Sequence, residues 1–157
     1  MEVKLPSQLV SKEGTVDLSA FTSTKVLAIY FSAQWCGVCR TFTQELVKFY
    51  NEVNKTETQL QILFISSDDT SADFEEHYKL MPWFAVAYDD ESREDFGYAC
   101  KVVSLPHLIL IDKDGKVKRD KAHNDIRNNP TKTPAEIFET WKALYEVAEV
   151  GKKANEK

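Results

Sequence analysis

The sequence predicts an α/β fold in which one β-sheet is covered by helices on both faces. Three observations predict it. Compact apolar runs recur at Lys25–Ser32, Gln61–Ser66 and His107–Asp112, and their length and β-branched or aromatic content suit buried strands. Phe42, Leu46, Phe49, Tyr50 and Val53 recur at spacings of three and four, the period of an amphipathic helix. Strand and helix patterns then alternate through the middle of the chain.

In chain order, Leu9-Val10, the turn Ser11-Lys12-Glu13-Gly14 and Thr15 to Leu18 predict an N-terminal hairpin. Lys25–Ser32 is the central strand, and the helix carrying Phe42 to Val53 follows it. Gln61–Ser66 is a second buried strand. Thr70 with Asp73 marks a helix start, and that helix ends before Met81-Pro82-Trp83. Ala85–Tyr88 predicts a short strand and Ser92–Tyr98 a short helix. His107–Asp112, a turn at Lys113-Asp114-Gly115 and Lys116–Arg119 predict a C-terminal hairpin. Asp120–Lys132 reads as a loop, broken by Asn128-Asn129-Pro130. Thr133, Pro134 and Glu136 supply an N-cap, a first helical proline and a capping box. Ile137, Phe138, Trp141, Leu144, Tyr145 and Ala148 line one face of that last helix. Residues 1–150 are expected to form one domain and 151–157 a polar, Lys-rich tail.

Composition narrows the function. The 157 residues carry a net charge of -5 with 43% hydrophobic and 29% charged residues, the profile of a folded globular chain. Acidic and basic residues are interspersed without a basic block, which argues against nucleic-acid binding. The longest apolar run near the N-terminus, Val26–Phe31, falls far short of the about 20 residues a membrane helix needs. Met1-Glu2-Val3-Lys4 lacks a secretory apolar region and a myristoylation glycine. Three cysteines do not make a disulfide framework. The cytosol is the expected compartment.

The chemistry centres on Trp35-Cys36-Gly37-Val38-Cys39-Arg40, between the central strand and its helix. Cys36 is expected at the helix N-terminus, where unpaired N–H groups and the macrodipole favour a negative charge, and the thiolate is the attacking form of a cysteine. Cys39 lies one turn along, close enough to form a disulfide with it. Cys36 is therefore the candidate nucleophile and Cys39 the resolving thiol. Gly37 relieves crowding beside the nucleophile, and Trp35 supplies a flat apolar wall. The competing reading is half of a zinc site. It needs two more ligands from Cys100, His77, His107 and His123, none of them in a second paired motif. Val103-Ser104-Leu105-Pro106-His107 precedes a buried strand, and its X-Pro bond is a candidate cis peptide that would face the dithiol and offer the Leu105 backbone to an extended substrate.

With these motifs in place, the chain resembles the thioredoxin superfamily, and within it the tryparedoxin/nucleoredoxin branch. Tyr30-Phe31-Ser32-Ala33-Gln34-Trp35-Cys36 is similar to that branch's approach to its Trp-Cys-Pro-Pro-Cys-Arg motif. Ile65-Ser66-Ser67-Asp68-Asp69, then Asp73-Phe74, Tyr78 and Met81-Pro82-Trp83, resemble its second signature. The resemblance covers roughly residues 8 to 119 and implies a thioredoxin-like fold, a central mixed sheet flanked by helices on both faces behind an N-terminal hairpin. It implies a protein-disulfide reductase that uses no cofactor, with disulfide-bearing clients such as a peroxidase. Its upstream thiol reductant would be trypanothione, glutathione or a reductase. The alternative is a non-catalytic, redox-dependent binding module of nucleoredoxin type, with Asp68, Asp69 and Asp89–Glu91 helping to bind a partner. Three departures stand out. The dithiol reads Cys-Gly-Val-Cys without proline, and Gly37 and Val38 occupy the positions that tune redox poise. Tyr30 stands where ordinary thioredoxins place a buried Asp, six residues before the first cysteine. Asn129-Pro130-Thr131 and Lys132-Thr133-Pro134 stand where the branch has Phe-Pro-Trp. Asp68 matches the branch's acidic residue and is the candidate proton handler for Cys39, with a loop or capping carboxylate as the alternative. Trp35, Gly37, Val38, Arg40, Trp83, Leu105 and Pro106 are the candidate substrate-binding set, with Trp83 beside Trp35 on an apolar rim or else in the core. Arg40 balances charge by the dithiol or is a solvated surface arginine, Cys100 is a buried small hydrophobe or a regulatory thiol, and His107 contacts substrate or is a strand-edge histidine without a chemical role.

Overall fold

The computed structural model describes residues 2–155, with side chains described through Glu146. A seven-stranded sheet runs in the order β2-β1-β5-β4-β3-β6-β7. In its interior lies β3 (Val26–Ser32), buried along its whole length. It pairs in parallel with β4 (Leu60–Ser66) and antiparallel with β6 (His107–Ile111). The sheet is therefore mixed.

Alternation along β3 divides the core. Val26, Ala28 and Tyr30 face one way, packing with Phe42, Leu46 and Phe49 of α2 (Gly37–Val53) and with Phe74 and Tyr78 of α3 (Ser71–Tyr78). Leu27, Ile29 and Phe31 face the other way, against Phe21 and Phe96, which belong to α1 (Leu18–Phe21) and α4 (Ser92–Ala99). Each such side chain contributes about 1.5–3 kcal/mol on burial, so both faces need helical cover. Helix α1 escaped the sequence pattern because it is a single turn, started by Asp17, whose carboxylate accepts the Ser19 N–H at 3.0 Å.

The hairpin β1 (Gln8–Ser11) and β2 (Gly14–Asp17) pairs Leu9 with Val16 and Ser11 with Gly14. The expected strand at Ala85–Tyr88 is instead β5 (Phe84–Ala85). It starts one residue earlier and is short, because it only bridges β4 to β1 through the Val10–Ala85 pair. The turn into β7 (Val117–Arg119) requires glycine: Gly115 has φ 86°, and a Cβ there would lie 2.0 Å from the Val3 carbonyl oxygen.

The expected loop at Asp120–Lys132 contains a helix, α5 (His123–Arg127). Tertiary anchors hold it: the Ala122 N–H donates to the Leu108 carbonyl, the Leu108 N–H donates to His123 Nδ1, and Asp125 accepts from Arg119 and from Trp141 Nε1. The capping box at Thr133 and Glu136 forms as expected, with the Glu136 N–H on Thr133 Oγ1 at 3.2 Å. Helix α6 (Pro134–Asn155) continues past Gly151, where the sequence suggested a tail. Ala148 lies outside the residues whose side chains are described.

Candidate active site

The chain leaves β3 at Ser32 and turns into α2 with Cys36 as N-cap. The Cys36 sulfur accepts the Cys39 N–H at 3.2 Å, so negative charge on that sulfur meets a donor at the positive end of a helix. Cys36 is half-buried and Cys39 fully buried, and both are free thiols. Trp35 is 58% exposed beside them, its indole N–H donating to the Ser67 carbonyl at 3.2 Å. Val38 is exposed on the first turn. The Arg40 guanidinium turns back to the Gln34 carbonyl and clamps the approach loop. Glycine is not required at position 37: a Cβ there would meet only Arg40 Nη2, at an ordinary 3.7 Å.

On the Cys36 side lies an open cleft of about 830 Å³. Trp35, Cys36 and Asp68 line one part of it, and Tyr98, Val103 and Leu105 another. Tyr98 and Val103 are largely exposed. Pairing of Phe31 with His107 brings the start of β6 level with the end of β3, which carries Leu105 to the dithiol's side of the sheet. The Leu105-Pro106 bond is cis, and Pro106 itself is buried. Arg93 secures the cleft, donating to the Ser66 carbonyl at 2.6 Å and the Tyr88 carbonyl at 3.0 Å while lying over the Tyr88 ring. Nothing in the sequence singles out this arginine, because its partners are main-chain atoms of distant segments.

Behind Cys39 the site is closed and polar. Burial pushes the Cys39 thiol up to about 12 and the adjacent Cys36 sulfur adds to the effect, while hydrogen bonds from the Ser32 hydroxyl and the Ala33 backbone act in the opposite direction. Ser32 Oγ is 2.7 Å from His77 Nε2. His77 Nδ1 is 3.2 Å from Gln34 Oε1, and the Thr43 hydroxyl bonds that of Tyr30 at 2.7 Å. Ser32, Thr43 and His77 are all fully buried. Burial lowers the His77 pKa, Asp68 opposes that, and Arg40 reinforces it. The alternation that places Tyr30 under α2 places Ser32 there too, so Ser32 was findable; His77 drew attention only as a metal ligand.

Two candidates have surroundings that favour the second of their two readings. Asp68 has those of a loop carboxylate. Its carboxylate, 2% exposed, accepts the Gln34 N–H and the Ser66 hydroxyl, each at 2.7 Å, so it holds the loop that presents the dithiol. Trp83 is not on a rim with Trp35. It is 1% exposed and packed edge-on against Tyr30 and Tyr50 in the core between the sheet and α2 and α3. Its Nε1 has no hydrogen-bond partner among the described residues.

The remaining candidates are structural. Cys100 is buried in the second core cluster, and burial and then the nearby Asp120 raise its thiol to about 11. His107 is buried with Nε2 2.7 Å from Asp120, its ring 5.0 Å from that of His123. Among the described residues no cluster of His, Cys, Asp or Glu can hold a metal ion, and no helix is long and apolar enough to cross a membrane.

A family model described as thioredoxin-like matches residues 24–117. Tryparedoxin of Trypanosoma brucei brucei is 35% identical over 126 residues, covering 79% of this chain and 86% of that protein. Probable nucleoredoxin 1 of Arabidopsis thaliana is 36% identical over 105 residues, 66% of this chain. The match spans only 18% of that nucleoredoxin's length. A solved structure of tryparedoxin II complexed with glutathionylspermidine superposes with a TM-score of 0.72 at 26% identity, covering 80% of this chain and 88% of that one. Sheet order, dithiol position and these likenesses agree: the chain belongs to the thioredoxin-like family, as a redox protein related to the tryparedoxins and nucleoredoxins.

Proposed function

We propose that this chain reduces protein disulfides, with Cys36 as nucleophile and Cys39 as resolving thiol. The observation that carries the reading is the asymmetry of the pair: Cys36 caps α2 at the edge of an open cleft, while Cys39 is sealed one turn behind it. The Cys36 thiolate attacks one sulfur of a client disulfide, and the other client sulfur leaves as a thiolate that takes a proton from water. Cys39 then loses its proton and attacks the Cys36 sulfur. The intramolecular disulfide forms and the second client thiol departs. An upstream thiol reductant returns the pair to the dithiol. The tryparedoxin complex with glutathionylspermidine makes a low-molecular-weight thiol such as trypanothione or glutathione the first donor class to test, with a reductase as the other. A reducing compartment such as the cytosol is the matching setting.

Insulin-disulfide reduction with wild type and Cys36→Ser tests the reading. The variant should lose activity to background, and equal rates would overturn it. Cys39→Ser should accumulate a mixed disulfide with its client, identifiable after trapping. A second reading, redox-dependent binding without turnover, is favoured by the exposed Trp35, Tyr98 and Val103 around the cleft. It predicts partner capture that changes with Cys36–Cys39 oxidation and persists in a chain that shows no reductase activity.

A further inference from the structure

We infer that His77 is a positioning residue for the dithiol: from α3 its ring ties together Ser32 and Gln34, the residues on either side of Ala33, and so fixes the turn that holds Cys36 opposite Cys39. This role rests on the proposed reductase reading and adds to it a residue that the dithiol motif does not contain.

The turn is short. Strand β3 ends at Ser32, and Cys36 caps α2. The Cys36 N–H donates to the Ala33 carbonyl at 3.3 Å, so the place of Ala33 governs the place of Cys36. Ala33 is buried and lies between the two residues that His77 holds. His77 Nε2 is 2.7 Å from Ser32 Oγ, and Nδ1 is 3.2 Å from Gln34 Oε1. A neutral imidazole has one donor and one acceptor nitrogen, and burial lowers the His77 pKa. Gln34 Oε1 only accepts, so Nδ1 carries the hydrogen and Nε2 accepts from the Ser32 hydroxyl. Thr43 Oγ1 of α2 stands 3.5 Å from the same Nε2. One fully buried ring thus reaches β3, the turn and α2.

Two other groups hold Gln34, and they differ in kind. Asp68 accepts the Gln34 N–H at 2.7 Å, and the Arg40 guanidinium donates to the Gln34 carbonyl. Both act on main-chain atoms, which other residues at position 34 would also offer. The bond to His77 is the one that uses the glutamine side chain. On the helix side, Cys36 Sγ accepts the Cys39 N–H at 3.2 Å. The two sulfurs therefore belong to differently anchored pieces: Cys39 rides on α2, and Cys36 on a turn placed from β3 and α3. Resolution needs these pieces in register. In the mixed disulfide the Cys39 thiolate attacks the Cys36 sulfur, and the Cys36–Cys39 bond forms. The Cys36–client bond breaks, and its electron pair leaves on the client sulfur. The proton given up by Cys39 is balanced by the one that the client thiolate takes from water. His77 contributes geometry, by raising the effective concentration of one sulfur at the other.

Equilibration of the reduced chain with glutathione disulfide tests this role, because the equilibrium constant reads that effective concentration. His77→Phe keeps a ring beside Phe64, 5.5 Å away in the wild type, and removes both bonds. Gln34→Met keeps the chain length and removes one. Each should lower the constant for forming the Cys36–Cys39 disulfide about tenfold, which is about 30 mV toward a less negative potential. The double variant should fall no further than the lower of the two single variants, since both changes cut the same bond. A residue that only stabilises the fold would shift the urea midpoint and leave the constant in place. A wild-type constant in Gln34→Met would overturn the role, as would fully additive losses in the double variant. Gln34 is only partly buried, so Gln34→Met decides the matter even where His77→Phe does not fold. Failure of the wild-type chain to reduce insulin disulfides would instead overturn the reductase reading, with the glutathione equilibrium still readable.

Discussion

Cys36 and Cys39 stand one helical turn apart, yet they occupy opposite environments. In front, Cys36 meets a cleft of about 830 Å³ edged by Trp35, Tyr98 and Val103. Behind, Cys39 is fully buried, as are Ser32, Thr43 and His77 and the ring cluster of Tyr30, Phe64 and Trp83. The front presents exposed rings and an exposed valine. The back satisfies the polar atoms of Ser32, Thr43 and His77 within the protein. A reaction in which the first thiol must meet a large client and the second must meet only the first uses this division directly. The contrast teaches that the two sulfurs of one motif can be solvated very differently, although the intervening residues are the same for both.

Substitutions can break the contrast. The largest effect is expected behind: Trp83→Ala should cost about 3–5 kcal/mol of stability, read from the urea midpoint, with the rate of Cys36 alkylation in the folded fraction little changed. A large loss of alkylation with an unchanged midpoint would show that Trp83 belongs to the front after all. Asp68 lies between the two regions, so Asp68→Asn should cost about 1.5–3 kcal/mol through weakened charge-assisted hydrogen bonds to Gln34 and Ser66. An unchanged midpoint would show that the carboxylate does not hold the loop.

A third test uses pH. Burial, then the charges of His107 and Arg127, lower His123 from 6.5 to about 4, with Asp120 and the Leu108 backbone opposing. The fold therefore favours neutral His123. Its contribution is full above pH 6.5 and is lost as pH falls from there toward 4. Thermal melts across that window should show the decline, and His123→Gln should flatten it; an identical slope in the variant would count against the assignment. The smallest stability effect is expected in front. Trp35→Ala should change the unfolding free energy by no more than about 0.5 kcal/mol, since the ring is 58% exposed, but should raise the KM for a protein disulfide. An unchanged KM would remove Trp35 from the client surface.

Much of the fold was legible because it rests on local pattern. Lys25–Ser32 and Gln61–Ser66 read as buried strands since both faces of a central strand meet helices, and Thr133 with Glu136 announced α6 through a cap made by neighbours in sequence. Helix α5 was not legible, as its support comes from Leu108, Arg119 and Trp141. In the site, Cys36, Cys39 and Leu105 came from motif and spacing. Arg93 and His77 did not, because each is defined by partners from distant segments. Trp83 was open to two readings, rim or core, which hydrophobicity cannot separate.

By itself the sequence determined the α/β alternation and the place of the dithiol at a strand-to-helix junction, because these follow from periodicity and from helix termini. Only the tertiary structure decided which groups make up the buried polar cluster under α2. Ser32 lies on β3, Thr43 on α2 and His77 on α3, and no spacing rule links them. They meet because the parallel pairing of β3 with β4 and the packing of α2 and α3 on one face bring three separate segments to a single polar point in an otherwise apolar layer.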